Sequence, residues 1–172
     1  MNKDEIDLLD KILSKTNDWI KFAEAKNGAI IAVVCSFMFG ANRILLNLDD
    51  VPGYLILYLY VFFVFSFLSL VIALSSFIPR LRKPFWLKTE EKSDNDNPFY
   101  FFDACKYDAY SYLKLLGITL SNNKVAEKMA DQIIVNSRIT SLKFSLFTSS
   151  AWLFLFALLT PLGAIFIWLL RE

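Results

Sequence analysis

Residues 124–170 read KVAEKMADQIIVNSRITSLKFSLFTSSAWLFLFALLTPLGAIFIWLL. The first half carries charges on a helical period, and the second half is almost wholly apolar. From Lys124 to Phe147 there is neither Gly nor Pro, so nothing in the sequence breaks a helix there. From Phe147 to Leu170 the run exceeds the roughly 20 apolar residues that cross a bilayer. The stretch predicts one long helix that rises from water into a membrane. Pro161 marks a kink near its far end.

Two further apolar runs lie upstream, at about 28–46 and 54–78, joined by Asn47-Leu48-Asp49-Asp50-Val51-Pro52-Gly53, a tight turn. Arg43, near the far end of the first run, reads as snorkelling to the interface, with a pore-lining cation as the sharper alternative. Ser69, Ala73 and Ser76 give the second run a face of small residues suited to close helix packing. The exit Pro79-Arg80-Leu81-Arg82-Lys83-Pro84 places three cations beside the membrane, which sets that side as cytoplasmic. The turn at Asp49 and Asp50 then lies outside. Three spans put the N-terminus inside and Arg171 and Glu172 outside, and Lys21, Lys26 and Lys143 at the inner boundary agree. The start of the chain is acidic and carries no early apolar run, so it does not read as a signal peptide.

The fold class is an all-α membrane protein with three transmembrane helices, an N-terminal amphipathic helix and a helical cytoplasmic region. Its parts are a cytoplasmic amphipathic helix at 1–27, a two-span hairpin at 28–79, a cytoplasmic helical sensor region at 80–146, and a third transmembrane helix with a short external tail at 147–172. In the first part Ile6, Leu9, Leu13, Thr16, Ile20 and Ala23 recur every three or four residues. That stripe can zip to a second copy or pack on the chain's own cytoplasmic part. In the third part Glu90 to Pro98 reads as a mobile polar loop. Phe102, Cys105, Ala109, Leu113 and Leu116 predict a helix over 99–116, stopped by Gly117. Ser121, Asn122 or Asn123 caps the helix that follows.

Catalysis finds little to work with. The chain has no His, no Gly-rich phosphate loop and two isolated cysteines, Cys35 and Cys105, so no metal site or disulfide framework follows. Asp103 with Asp108, and Glu127 with Asp131, read as solvated helix faces rather than carboxylate pairs. A net charge of +1 gives no reason to expect binding to a nucleic-acid polymer. Binding of a small molecule has more support. Gln132, Asn136, Thr140 and Lys143 form a polar stripe in register with Val125 and Met129. Trp19, Glu24 and Lys26 reach the same depth from the first helix. The set offers aromatic faces, amides and cations, the chemistry that holds a nucleotide. The alternative is that these groups only cap, pair and snorkel.

Trp19-Ile-Lys-Phe-Ala-Glu-Ala-Lys26-Asn-Gly28, leading into a span, resembles the start of the Pycsar effector transmembrane family. Asp131-Gln132-Ile133, then Asn136-Ser137-Arg138-Ile139 and Lys143, resembles its second signature, and the likeness covers nearly the whole chain. Glu24 stands where the family usually has Asp; it keeps the charge and moves it by one methylene. The resemblance implies a non-enzymatic effector of a bacterial anti-phage system. A partner cyclase would make a cyclic pyrimidine mononucleotide, cUMP or cCMP. The effector would sense it at the inner membrane, assemble as a homo-oligomer among the lipids, and disrupt the membrane to cause abortive infection. On that reading Lys26, Arg138 and Lys143 hold the phosphate, Trp19 or Tyr100 stacks on the base, Gln132 and Asn136 read its edge, and no further cofactor is required. A different class also fits the sequence: a membrane scaffold or regulatory subunit that binds a protein through its cytoplasmic helices.

Overall fold

The computed structural model describes residues 3–47, 53–78, 91–93, 95–118 and 124–169. Every regular element among them is a helix: α1 (Lys3–Asn47), α2 (Gly53–Ser75), α3 (Phe101–Ala104), α4 (Ala109–Leu115) and α5 (Lys124–Leu169). α1, α2 and α5 are each long and apolar enough to cross a membrane. The chain is thus a three-span, all-α membrane protein. α5 runs unbroken through the stretch quoted above and stays helical on both sides of Pro161. α1 likewise carries the amphipathic segment and the first span without interruption. The turn at Asp49 and Asp50, the exit at Arg80, Arg82 and Lys83, the caps at Ser121, Asn122 and Asn123, and the tail at Arg171 and Glu172 lie outside the described residues.

The helices form two compact units. Unit 1 comprises Met1–Ala23 and Pro79–Phe144, and unit 2 comprises Glu24–Ile78 and Ser145–Glu172. α1 and α5 contribute to both.

Unit 1 is built around Leu9 and Ile12 of α1, Tyr112 and Leu113 of α4, and Ala126, Ala130, Ile133 and Ile134 of α5. The amphipathic stripe therefore packs within the chain. Its buried members are Leu9, Thr16 and Ala23, whereas Leu13 and Ile20 are half-buried and Ile6 is exposed; Ile12, outside the expected stripe, is buried with them. α4 ends as Gly117 predicts. Gly117 takes φ +71°, its N–H donates to Lys114 O, and the Ile118 N–H donates to Leu113 O. This pair of bonds satisfies the last carbonyls of the helix, and Ile118 folds back into the core beside Leu113.

The helix expected over 99–116 is instead two short ones. The break falls at Lys106-Tyr107-Asp108, because each of these side chains has a stronger local role than helix continuation. Asp108 caps α4 by accepting from the Ser111 N–H at 3.2 Å. Lys106 turns inward to Asp96 and Asp103, at 2.9 and 2.8 Å. The break also rotates the apolar face. Phe101, Ala104 and Tyr107 are buried, while Phe102 is exposed and Cys105 only half-buried. The same ion pair corrects the reading of Glu90 to Pro98. Asp96 is fixed by Lys106, by the Tyr107 hydroxyl at 2.9 Å and by the Ser93 N–H at 3.0 Å. The Tyr112 hydroxyl donates to Pro98 O at 2.8 Å. The described part of this segment is clamped down rather than loose.

Unit 2 packs differently. Leu59, Phe62, Ser66, Ser69 and Ala73 are the buried face of α2. Ser69 Oγ donates to Ser150 O at 2.8 Å, and Ser150 Oγ donates to Ser69 O at 2.9 Å. Val34, Phe62, Phe154 and Ala157 fill the space around them. The small residues at Ser69, Ala73 and Ser76 thus serve packing, as their spacing predicts.

Candidate functional site

The candidate residues fall in both units. Trp19, Tyr100, Gln132, Asn136, Arg138 and Lys143 belong to unit 1, and Glu24 and Lys26 belong to unit 2.

In unit 1 the amides form a chain. Gln132 Nε2 donates to Asn136 Oδ1 at 2.9 Å, and Asn136 Nδ2 donates to Asn17 Oδ1 at 2.7 Å. Thr140 Oγ1 donates to Asn136 O at 2.8 Å. Asn136 and Thr140 are buried and Gln132 is exposed, so the polar stripe enters the unit at an angle. Val125, one heptad before Gln132 on the unbroken helix, is 55% exposed, and Met129 packs partly against the core of the unit. The buried line on α5 runs through Ala126, Ala130, Ile133, Ser137 and Ser141. Asn17, from the other end of the sequence, is the partner that sequence reading missed. Its signal was weak: an Asn beside Thr16 on an otherwise charged face.

Arg138 reaches the break between α3 and α4. Its Nε donates to Cys105 O at 3.2 Å and its Nη2 to Tyr107 O at 3.1 Å. A guanidinium presents a planar fork of donors, and here two of them close carbonyls that the interrupted helix leaves open. Arg138 therefore positions the α3–α4 segment. Lys143 is half-buried, next to Phe144 on α5.

An aromatic group lies above the amides. The Trp19 ring is 5.4 Å from Phe101 and 6.2 Å from Phe144, and Phe101 stacks on Phe144 at 5.2 Å. Tyr100, 43% exposed, leans on Phe101 at 5.0 Å. On the outer side of α1 an open hollow of about 410 Å³ is lined by Lys15, Asp18, Trp19 and Phe22. Its lining is almost wholly apolar, so it offers aromatic faces and the side-chain stems of Lys15 and Asp18. Lys15 and Asp18 were not singled out from the sequence, where they look like ordinary solvated helix charges.

The ionisable cluster at the α3–α4 break is structural. Its hydrogen bonds hold the Asp96 carboxyl below the usual carboxylate range, chiefly through the Ser93 N–H and Lys106. Asp103 and then Asp96 hold the Lys106 ammonium well above its ordinary value. Burial, then Asp96, pushes the Tyr107 hydroxyl up. Lys92 and the Ser111 cap hold Asp108 well down. These groups lock each other's charge states and leave no proton poised for transfer near neutral pH. Among the described residues no group of His, Cys, Asp and Glu is arranged to hold a metal ion.

In unit 2, Glu24 and Lys26 are half-buried, and the Lys26 ammonium sits 5.3 Å from the Phe147 ring centroid. This cation–π contact marks the level at which both helices leave their charged segments.

A family model described as the Pycsar effector protein domain matches residues 8–170. No curated protein and no solved structure matches the chain.

Proposed function

We propose, from the premise that the chain belongs to the Pycsar effector protein family, that it senses a cyclic pyrimidine mononucleotide and answers by disrupting the inner membrane. Family membership and three membrane-capable helices establish a membrane effector of anti-phage defence. The proposal adds the trigger and the action. A partner cyclase supplies cUMP or cCMP during infection, the effector opens or breaks the membrane as a homo-oligomer without catalysing a reaction, and the infected cell dies. The cytoplasmic side carries unit 1 and the N-terminus.

The observation that carries the sensing role is the continuity of α5. The helix that holds Gln132, Asn136 and Lys143 is also the third span. A ligand that prefers one tilt of its polar end shifts the span with it. Moving a population from about 1% to about 99% active takes roughly 5.5 kcal/mol of preference, which copies switching together can share. The Trp19 hollow supplies stacking, and Lys143 supplies a cation for the phosphate.

Titration of the full chain in nanodiscs with cUMP, cCMP, cAMP and cGMP tests this. One pyrimidine nucleotide is expected to bind and to trigger dye release from vesicles. Lys143→Ala is expected to weaken binding about ten- to a hundredfold, the worth of a charged hydrogen bond. Binding by none of the four nucleotides overturns the sensing role. Two glycines inserted after Phe144 are expected to preserve binding and abolish release. Release that survives the insertion rejects α5 as the transmitting element.

A further inference from the structure

We infer that the aromatic segment Tyr100-Phe101-Phe102 is a membrane-interface anchor, seated in the headgroup zone of the same bilayer that the three long helices cross. The three rings form one patch. Phe101 lies 4.7 Å from Phe102 and 5.0 Å from Tyr100, and Tyr100 lies 5.7 Å from Phe102. Only the middle ring is used by the unit: Phe101 is 4% exposed and stacks on Phe144, while Tyr100 and Phe102 remain 43% and 37% exposed. Phe22, beside Phe144 at 6.1 Å, is 48% exposed. Phe144 links Phe22 to the patch, and water is a poor neighbour for a connected group of rings in which Tyr100, Phe102 and Phe22 are this open.

The level of the patch follows from the helices that carry it. Lys26 on α1 and Phe147 on α5 meet in a cation–π contact where each helix enters its span. Phe22 precedes Lys26, and Phe144 precedes Phe147, by one turn, about 5 Å of helix rise. The headgroup zone on each side of the hydrocarbon is roughly 5–8 Å thick. Phe144, and the α3 ring stacked on it, therefore fall within that zone. It favours aromatic rings, and Tyr100 suits it because its hydroxyl stays hydrated while its ring is covered. The break at Lys106-Tyr107-Asp108 now has a use. It frees α3 from the line of α4 and lets a four-residue helix present Tyr100 and Phe102 outward. The occupant is a lipid surface, continuous with the lipid around the spans.

The test uses the unaltered chain in phosphatidylcholine–phosphatidylglycerol vesicles that contain a photoactivatable lipid with its diazirine at the headgroup end. Peptides are read by mass spectrometry after irradiation. The peptide that holds residues 99–102 is expected to carry about tenfold more lipid adduct than the peptide around Lys128, which lies some 24 Å back along α5. Equal labelling of the two overturns the anchor. A nitroxide at Phe102→Cys, in a chain with Cys35→Ser and Cys105→Ser, provides the second reading. Oxygen is expected to relax it several-fold more than a water-soluble nickel chelate does, relative to the same label at Lys128→Cys. Relaxation by the chelate equal to that at position 128 overturns the proposal. So does strong label–label broadening, which would show a second copy covering the patch.

Discussion

Leu113 and Ser69 are both fully buried, yet they hold their units by different means. Leu113 sits in unit 1 among Leu9, Ile12, Tyr112 and Ile133. Apart from the Lys106 cluster, most charges face outward there, and transfer of apolar surface out of water supplies the drive. Ser69 sits in unit 2 against Ser150, while Phe39, Leu46, Leu57 and Leu159 point away from the unit and are more than 60% exposed. In lipid those side chains gain nothing by turning inward, because the solvent is as apolar as the core. Close approach of small residues and a few hydrogen bonds must do the work. The two units teach that one polypeptide, and even one helix, can change its stabilising force along its length.

The comparison can be broken most severely in unit 1. Leu113→Ala is expected to cost about 2–5 kcal/mol and to leave a cavity under α4. Amide exchange in Tyr112–Leu115 would quicken while that in Leu59–Ser66 stays unchanged. Equal acceleration in both would show that the units do not rest on separate cores.

The next largest effect concerns the buried ion cluster. Lys106→Met leaves Asp96 and Asp103 facing each other without a cation, and denaturation midpoints are expected to fall at pH 7. The wild-type pH profile carries the sign. Asp96 titrates below its ordinary 3.8 in the folded chain, so its contribution is complete above that value and is lost as pH falls below it. Lys106 and Tyr107 titrate above their ordinary 10.5 and 10.0, so their contributions are complete below those values and are lost as pH climbs past them. Stability of unit 1 is expected to be flat between about pH 5 and 9 on these groups and to fall on both sides. In Lys106→Met the Asp96 share of the acid limb shrinks, while the Asp108 share, held by Lys92 and Ser111, remains. An unchanged acid limb would show that the cluster does not set it.

Ser69→Ala sharpens the contrast from the other side. It removes the paired hydroxyl contact to Ser150 and is expected to cost about 0.6 kcal/mol, with about 1.7 as the upper end for hydrogen bonds between membrane helices. Unfolding in mixed micelles measures it. A loss as large as that of Leu113→Ala would erase the distinction between the units. Smallest of all is Asp18→Asn. Its 3.3 Å pair with Lys21 is largely solvated on both sides, so the expected change is about 0–1 kcal/mol. A larger loss, measured by the same unfolding, would mean that Asp18 matters to the Trp19 hollow it lines.

The three spans and the unbroken course of α5 were legible because they rest on local rules: apolar length, helical period and the absence of breakers. Gly117 was legible for the same reason, since a glycine after a periodic run ends a helix by contacts three to five residues back. The break at Lys106-Tyr107-Asp108 was not legible. Phe102, Cys105, Ala109, Leu113 and Leu116 keep helical spacing straight across it, and the partner that forces the turn, Asp96, lies in a segment rich in turn residues. The amide chain was legible only by half. Gln132 and Asn136 announce themselves by spacing, but Asn17 joins them across 119 residues of sequence, and no periodicity reports a contact at that range.

That distance has a consequence for how the protein is made. Ribosomes extend chains at roughly 5–20 residues per second, so Asn17 waits about 6–24 s for Asn136 to be synthesised. Leu9 and Ile12 wait about as long for Ile133. In that interval both earlier apolar runs have emerged and can enter the bilayer, while the amphipathic half of α1 stays unmatched with its stripe open. Insertion can therefore precede the completion of unit 1. Each nascent chain can thus pass through a stage in which it is anchored in the membrane while its unit 1 is unfinished.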